Sequence, residues 1–157
     1  MGIEIERKFL VDRKKWETVE RSAGTLYRQG YLSNGDDPTI RVRVADTKAF
    51  LTLKGPTIGI ARKEFEYEIP VADAIEMLDS FALSEVKKTR HRIYHDNKLW
   101  EVDEFSGANA GLILAEIELQ HEDEIFTLPD WVTEEVSGDI RYFNSNLSVN
   151  PYTTCVI

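Results

Sequence analysis

Charged and apolar residues alternate along the first segment of the chain, residues 2–11. Successive side chains on a β-strand point to opposite faces, so this segment has one charged and one apolar face. The charged face holds Glu4, Glu6 and Lys8. For one strand alone, a solvent-exposed polar face explains the pattern well. The same alternation recurs in at least five later strands, however, which indicates a sheet whose charged faces share one side.

Strand-like patterning dominates the chain, with turn-forming residues between several segments. The predicted strands lie near residues 2–11, 26–32, 38–45, 49–54, 62–69, 86–95, 98–105 and 112–120. Residues 33–38 and 55–59 are predicted loops, Asp96-Asn97 a tight hairpin and 106–111 a hairpin-scale connection. Eight mainly antiparallel strands in a chain of 157 residues favour a sheet closed into a barrel, because closure removes exposed strand edges.

Helical patterning is sparser. Helices are predicted near residues 13–21, 72–81 and 121–127, and after Asp139. Asp12 and Asp139 are the expected N-caps, and Ile75, Leu78 and Phe81 form one apolar stripe. We expect these helices to cover the outside of the barrel, with the charged strand faces turned inward. The predicted fold class is therefore α+β, a closed antiparallel eight-stranded β-barrel with a few helices packed outside, in a single domain over residues 1–157.

The composition narrows the functional classes. A hydrophobic content of 42% is enough to form a core, and a net charge of −9 argues against a protein held on nucleic acid or an anionic membrane. No apolar run approaches the length of a membrane span, and the charged N-terminus argues against a secretory signal peptide, so we expect a cytoplasmic protein. Cys155, the single cysteine, permits no intramolecular disulfide. The sequence leaves the oligomeric state open, with a homodimer as one alternative.

The later strands carry charge at the same alternating positions. With Lys8, eight of the 19 Lys and Arg residues face one side of the predicted sheet, the others being Arg41, Arg43, Lys54, Arg62, Lys88, Arg90 and Arg92. Acidic residues at these positions include Glu101, Asp103, Glu116 and Glu118. An interior packed with such groups is costly unless the charges pair, stay hydrated or bind a charged ligand.

The residue types in this interior indicate the ligand. Arg and Lys suit phosphate oxygens, and their number exceeds what one monophosphate can use. The carboxylate pairs Glu4/Glu6 and Glu116/Glu118 suit a hard divalent cation such as Mg²⁺ or Mn²⁺, which commonly bridges protein carboxylates and substrate phosphates. The sequence therefore predicts a linear polyphosphate bound with a divalent metal.

Other notable residues have structural interpretations. His91 and His95 lie outside the charged alternation and have no partners at zinc-like spacing, so we interpret them as surface or packing residues. The three tryptophans, Trp16, Trp100 and Trp131, are expected in the core or covering it. Gly30 is interpreted as a β-bulge.

The opening Glu4-Ile-Glu-Arg-Lys8 resembles the Glu-x-Glu-x-Lys signature of the CYTH superfamily, the triphosphate tunnel metalloenzymes. Supporting matches are Gln29-Gly-Tyr-Leu32, Arg41-Val-Arg43, Leu53-Lys54, Arg62-Lys-Glu-Phe-Glu66, Lys88-Thr-Arg90, Glu101-Val-Asp103 and Ala115-Glu-Ile-Glu-Leu119. This resemblance spans nearly the whole chain. It implies an eight-stranded tunnel that binds triphosphate with divalent metal, and the compact form here is most similar to the bacterial inorganic triphosphatases.

Together the two arguments assign roles. The expected metal ligands are Glu4, Glu6, Glu116, Glu118 and Asp103, with Glu101 as an alternative to Asp103. The expected triphosphate-binding residues are Lys8, Arg41, Arg43, Lys54, Arg62, Lys88, Arg90 and Arg92. We expect Glu4, Glu6, Lys8 and Glu118 to act in catalysis, by water attack on a terminal phosphorus of inorganic tripolyphosphate. A class IV-type adenylyl cyclase, a thiamine or nucleoside triphosphatase, and a non-catalytic polyphosphate-binding module are the alternatives.

Overall fold

The computed structural model describes residues 2–33 and 38–152, so Cys155 and most of the predicted 33–38 loop lie outside the described residues. The strands are β1 (Gly2–Val11), β2 (Thr25–Tyr31), β3 (Thr39–Ala45), β4 (Lys48–Lys54), β5 (Ala61–Ile69), β6 (Ser84–His95), β7 (Lys98–Phe105), β8 (Ile113–Glu118) and β9 (Val132–Glu135). The α-helices are α1 (Arg13–Glu17), α2 (Val71–Phe81) and α3 (Asn144–Leu147), with 3₁₀ helices at Gly107–Asn109 and Ile140–Tyr142. No helix in these ranges is long and apolar enough to cross a membrane.

The sheet closes into a barrel through β1. The strand order is β5-β4-β3-β2-β6-β7-β8-β1, every pairing is antiparallel, and β5 returns to pair with β1. Residues 2–5 of β1 pair with β5, whereas residues 6–10 pair with β8 on the other side. The short β9, which the sequence did not predict, pairs with the end of β1 beyond β5. The predicted closed eight-stranded barrel is confirmed.

The apolar strand faces form a core outside the barrel. Trp100 on β7 and Phe9 on β1 are buried beneath Trp16 of α1 and Trp131. The Trp16–Trp131 and Trp100–Trp131 ring pairs meet edge to face, with centroids 5.2 and 6.0 Å apart. This is a favourable aromatic geometry. All three tryptophans lie in the core or cover it, as predicted. Because the apolar strand faces pack against them on the outside, the charged faces of the same strands turn inward.

α2 covers β3 and β4, although not with the predicted stripe. Ala74 and Leu78 are its buried residues, whereas Ile75 and Phe81 remain 42% and 65% exposed. These two buried residues are four apart and therefore lie on the same face of the helix. Because Ala74 is small, this face can lie close to the sheet. Gly30 makes that approach possible, because a Cβ there would lie 2.6 Å from Leu78 Cδ2. Gly30 pairs regularly with both neighbouring strands, so the predicted β-bulge is wrong.

The helix predicted over 121–127 is also wrong. The Glu124 carboxylate accepts a hydrogen bond from the Gln120 backbone N–H and contacts the Lys98 ammonium. Such side-chain bonding to the backbone favours a turn over a helix. α1 has the predicted Asp12 N-cap, which accepts from the Lys15 N–H, but it ends at Glu17 rather than at residue 21.

The chain from 136 to 152, here called the closing segment, lies across one end of the barrel instead of outside it. Asp139 does cap, but the capped turn is the 3₁₀ helix Ile140–Tyr142. Leu147 of α3 is buried with Val86, Phe105 and Leu114, which point into that end of the barrel. An apolar plug therefore fills one end of the interior, and the charged residues line the remainder.

Replacing Gly30 with Ala is expected to lower the free energy of unfolding by about 1–3 kcal/mol, because the added methyl group overpacks the contact with Leu78 and Ala82. Urea unfolding measures this effect. The control is Gly138→Ala, where an added Cβ meets nothing within 4 Å. Equal stability of the two variants would show that α2 does not pack on Gly30.

Candidate active site

A cavity of about 280 Å³ occupies the inside of the barrel. All eight predicted phosphate-binding cations line it, as do Glu4, Glu6, Glu116 and Glu118. Arg92 lies at the margin, with its side chain 64% exposed beside Glu101. The alternation along the strands thus brings the predicted residues to one place, with the exception of Asp103, which is fully buried beneath the lining.

Asp103 anchors the cations of β6. Its carboxylate accepts two hydrogen bonds from Arg90, at 2.7 and 2.9 Å, and forms an ion pair with Lys88 at 2.8 Å. Burial alone would raise the pKa of Asp103, but the adjacent Arg90 and Lys88 outweigh it and hold this pKa well below its usual range. These contacts favour a positioning role for Asp103 over the metal-ligand role expected from the sequence.

Glu116 likewise forms ion pairs with cations of the cavity. Lys8 Nζ lies 3.5 Å from its carboxylate, and Arg90 Nη2 lies 3.9 Å away. Burial works against ionisation of Glu116, yet Lys8 and Arg90 lower its pKa to about 2. Burial also disfavours the charged form of Lys8, but Glu116 leads the carboxylates that raise the pKa of Lys8. Both groups are therefore charged at neutral pH.

On the opposite wall, other cations pair with carboxylates. Lys54 Nζ contacts Glu4 at 3.0 Å and Glu64 at 3.2 Å. Arg41 lies 3.5 Å from Glu66 and donates a hydrogen bond to the Thr52 hydroxyl. The Arg41 Nε–H group is buried and has no hydrogen-bond partner among the described residues. A buried donor without an acceptor is costly, so this N–H group is available to donate a hydrogen bond to a bound anion.

Arg43 has no ion pair with a carboxylate among the described residues. Its Nε donates to the Gln29 amide oxygen at 2.9 Å, and its guanidinium lies 4.8 Å from the centre of the Tyr27 ring. Burial, aided by Arg41 and Arg90, lowers the pKa of Arg43 from its usual value. A guanidinium stays charged in proteins, so this lowering reflects a buried charge that also lies near two other cations.

Glutamates of the paired strands β1 and β8 lie beside one another in the cavity lining. Glu6 and Glu118 are directly opposite in the β1–β8 register. Burial, followed by Glu116 and Glu4, raises the pKa of Glu6 to about 8. Burial and then Glu4 also raise the pKa of Glu118. Like charges directly opposite each other destabilise a sheet, so this arrangement suits a bound cation.

Glu4, Glu6 and Glu118 fit a hard divalent cation by donor chemistry, because carboxylate oxygens are its preferred ligands. In residues 2–33 and 38–152, no group of three or more His, Cys, Asp or Glu side chains is already arranged to hold a metal ion. Burial is the main cause that raises the pKa of all three glutamates. Glu4 pairs with Lys54, but neither Glu6 nor Glu118 has an ion pair among the described residues that would provide compensation for its charge. A divalent cation would provide that compensation.

Sequence reasoning missed the neutral residues of the cavity. Tyr27 and Tyr31 line it and Gln29 is buried with them, and their alternation on β2 was a usable signal. Asn144 and Tyr142 come from the closing segment: the Asn144 side-chain oxygen accepts from Lys88 Nζ at 2.9 Å, and the Tyr142 carbonyl accepts from Lys8 Nζ at 3.1 Å. No periodic pattern in the sequence marks this segment as part of the site.

A family model described as "CYTH domain" matches residues 2–148. The chain belongs to the CYTH domain family. This CYTH chain is 48% identical to a protein of Acetivibrio thermocellus named inorganic triphosphatase, over 97% of both chains. It is 38% identical to a Nitrosomonas europaea protein of the same name, over 94% of this chain and 97% of that one. The family resemblance inferred from the motifs is confirmed.

Solved structures support the same assignment. The crystal structure described as inorganic triphosphatase NE1496 superposes with a TM-score of 0.65 and 34% identity, over 93% of the CYTH chain and 97% of that chain. The PH1012 protein of Pyrococcus horikoshii superposes with a TM-score of 0.59 at 20% identity, over 76% of this chain and 81% of that one. The latter likeness shows the shared fold alone.

Asp103→Asn is expected to cost about 3–5 kcal/mol in free energy of unfolding at pH 7, because it leaves buried Arg90 and Lys88 without their counter-charge. Since the folded pKa of Asp103 is depressed, its contribution is complete above about pH 4 and is lost as the pH falls further. Urea unfolding at pH 7 and pH 3 should therefore show the gap to wild type shrinking at pH 3.

The matched control for this prediction is Glu101→Gln on the same strand. Glu101 contacts Arg90 at 3.3 Å but is partly exposed, so its loss is expected to cost less than about 1 kcal/mol. Similar losses in the two variants would contradict the anchoring role of Asp103.

Proposed function

We propose that this chain is a divalent-metal-dependent inorganic triphosphatase that converts tripolyphosphate to pyrophosphate and phosphate. The observation that carries this proposal is the division of the cavity into a cationic wall with spare donors and a carboxylate cluster in which Glu6 and Glu118 have no ion pair among the described residues. Pure anion binding would gain little from carboxylates placed so close to the anion. A metal bound between the carboxylates and a phosphate chain would explain why both carboxylates and cations line the cavity. The names of the two curated relatives support the same activity.

The cationic wall would bind and align the substrate. Arg41 and Arg43 are two apart on β3, and Lys88 and Arg90 are two apart on β6, so each strand offers charges about 7 Å apart along its length. This spacing suits a chain of linked phosphates rather than a single one. The unsatisfied Arg41 Nε–H and the Arg43 guanidinium without a carboxylate partner are the strongest candidates for phosphate oxygens.

Glu4, Glu6 and Glu118 would hold the metal. A bound divalent cation supplies neutralisation of phosphate charge and activation of water. The water that attacks a terminal phosphorus must lose a proton, and carboxylates with raised pKa values suit that transfer near neutral pH. We assign the proton acceptor to this group of three. Lys8, held in place by Glu116 and the Tyr142 carbonyl, would neutralise charge on the phosphate groups nearest to β1.

Glu116 and Asp103 would act indirectly. Neighbouring cations lower the pKa of both carboxylates, whereas the pKa of Glu4 is raised despite its contact with Lys54. We therefore propose that Glu116 and Asp103 fix Lys8, Arg90 and Lys88 rather than coordinate the metal. Fixing these cations before the substrate arrives reduces the reorganisation that phosphoryl transfer requires.

A phosphate-release panel tests the reaction. With Mg²⁺ or Mn²⁺, tripolyphosphate is expected to give orthophosphate and pyrophosphate at a higher kcat/KM than ATP, thiamine triphosphate or pyrophosphate. ATP is included because an adenylyl cyclase would instead release pyrophosphate with cyclic AMP. Chromatography of the products separates the two reactions. Formation of cyclic AMP, or the absence of phosphate release with every metal, would refute the proposal.

Glu6→Gln is expected to abolish metal-dependent turnover while making the metal-free protein more stable. Burial and neighbouring carboxylates raise the folded pKa of Glu6 to about 8, so its destabilising effect grows as the pH rises from about 4 to 8. At about 1.4 kcal/mol per pKa unit, the variant should therefore gain up to about 5 kcal/mol at pH 8 and nothing at pH 4. Urea unfolding and phosphate release measure the two effects.

Glu68→Gln provides a control at an exposed position that shares the charged alternation of β5 but does not line the cavity. Mg²⁺ or Mn²⁺ should raise the melting temperature of wild type and of this control, but not that of Glu6→Gln, because ligand binding to the folded state stabilises it. Near-normal turnover in Glu6→Gln would remove Glu6 from the metal site.

A further inference from the structure

We propose that the buried amide of Gln29 and the half-buried amide of Asn144 form a neutral link that positions two triphosphate-binding cations, Arg43 and Lys88, without adding negative charge beside them. The inference rests on the proposed function only for the identity of the ligand. The link crosses from β3 through β2 and the closing segment to β6. Through this link the closing segment becomes part of the binding site, in addition to filling one end of the barrel.

Four hydrogen bonds define the link. Gln29 Oε1 accepts from Arg43 Nε at 2.9 Å, and Gln29 Nε2 donates to Asn144 Oδ1 at 3.3 Å. Asn144 Oδ1 also accepts from Lys88 Nζ at 2.9 Å. Gln29 Nε2 donates in addition to the Tyr31 hydroxyl at 3.2 Å. Every polar atom of the Gln29 side chain is thereby engaged in a position that is 0% exposed.

The orientation of both amides follows from the cations. Guanidinium and ammonium groups are donors only, so the atoms facing Arg43 and Lys88 must be oxygens. With Gln29 Oε1 turned towards Arg43, its NH₂ group is turned towards Asn144, which presents the oxygen that Lys88 also requires. The two cations therefore fix the amides, and the amides in turn fix the cations.

The neutrality of the link distinguishes it from the other anchors. Arg90 is held by Asp103, Lys54 by Glu4, and Lys8 by Glu116. Those carboxylates position a cation but cancel part of its attraction for phosphate. An amide oxygen accepts the same hydrogen bond and leaves the full charge available. Arg43 gains most, since no described carboxylate pairs with it, whereas Lys88 also forms an ion pair with Asp103 at 2.8 Å.

Equilibrium binding of tripolyphosphate to metal-free protein tests the proposal independently of turnover. Asn144→Ala is expected to weaken this binding about tenfold, because Lys88 and Gln29 both lose their acceptor. Asn144→Asp keeps an acceptor but adds negative charge, so it should weaken binding at least as much. Calorimetry gives the affinity, and the melting temperature of each variant reports its stability.

Asn146→Ala is the matched control, with the same change in the same helix. The Asn146 side chain accepts from Asn150 at the exposed surface, away from both cations. Its tripolyphosphate affinity should equal that of wild type, and its melting temperature should exceed that of Asn144→Ala, which leaves two donors without an acceptor. Binding by Asn144→Ala that matches this control would overturn the proposal. So would wild-type affinity in Asn144→Asp, which would show that any acceptor suffices.

Gln29→Glu keeps the test decisive if Asn144→Ala does not fold. The substitution preserves shape and the acceptor for Arg43 but introduces a charge, so about tenfold weaker binding is expected and wild-type affinity would refute the link. Wild-type protein that binds tripolyphosphate without releasing phosphate would refute the proposed hydrolysis and leave this inference standing. Wild-type protein that binds tripolyphosphate neither alone nor with Mg²⁺ would refute both.

Discussion

The charge inside the barrel has to be balanced, because an unpaired ion removed from water costs several kcal/mol. Asp103 provides the central balance, since it lies directly opposite Arg90 in the β6–β7 register and also holds Lys88. A slip of one residue would turn Asp103 outward and bring the apolar Trp100 and Val102 into the cavity. The ion pairs inside and the tryptophan core outside therefore specify the same register, and this agreement defines the cavity.

The pairing of positive and negative charges in the cavity is incomplete at two places. Arg43 has surplus positive charge on one wall, and Glu6 with Glu118 has surplus negative charge on the other. Neither glutamate has an ion pair among the described residues, and burial, followed by Glu116 and Glu4, raises the pKa of Glu6 to about 8. A metal and a triphosphate bound together would satisfy both at once, whereas either ligand alone would leave one wall unsatisfied. The structure thus favours a joint complex of metal and polyphosphate.

Strand alternation made most of the fold and the charged lining predictable. A period of two residues assigns each side chain to a face, so Arg41, Lys54 and Glu116 could be placed inside before any pairing was known. The four-residue strand β9 and the closing segment carry no such period. Asn144 reaches the cavity only because Leu147 anchors α3 at the barrel end, a tertiary contact that sequence spacing does not encode. Gln29 was overlooked because it is uncharged.

Closure of the barrel and assembly of the carboxylate cluster take place at the same point of β1. Glu4 lies opposite Arg62 on β5, whereas Glu6 lies opposite Glu118 on β8. The switch of partner strand between residues 5 and 6 sets one carboxylate at each side of the seam. Loss of pairing by either β5 or β8 would separate the glutamates as well as open the barrel. Repulsion within the cluster therefore acts directly on the seam, and a bound cation would relieve it there.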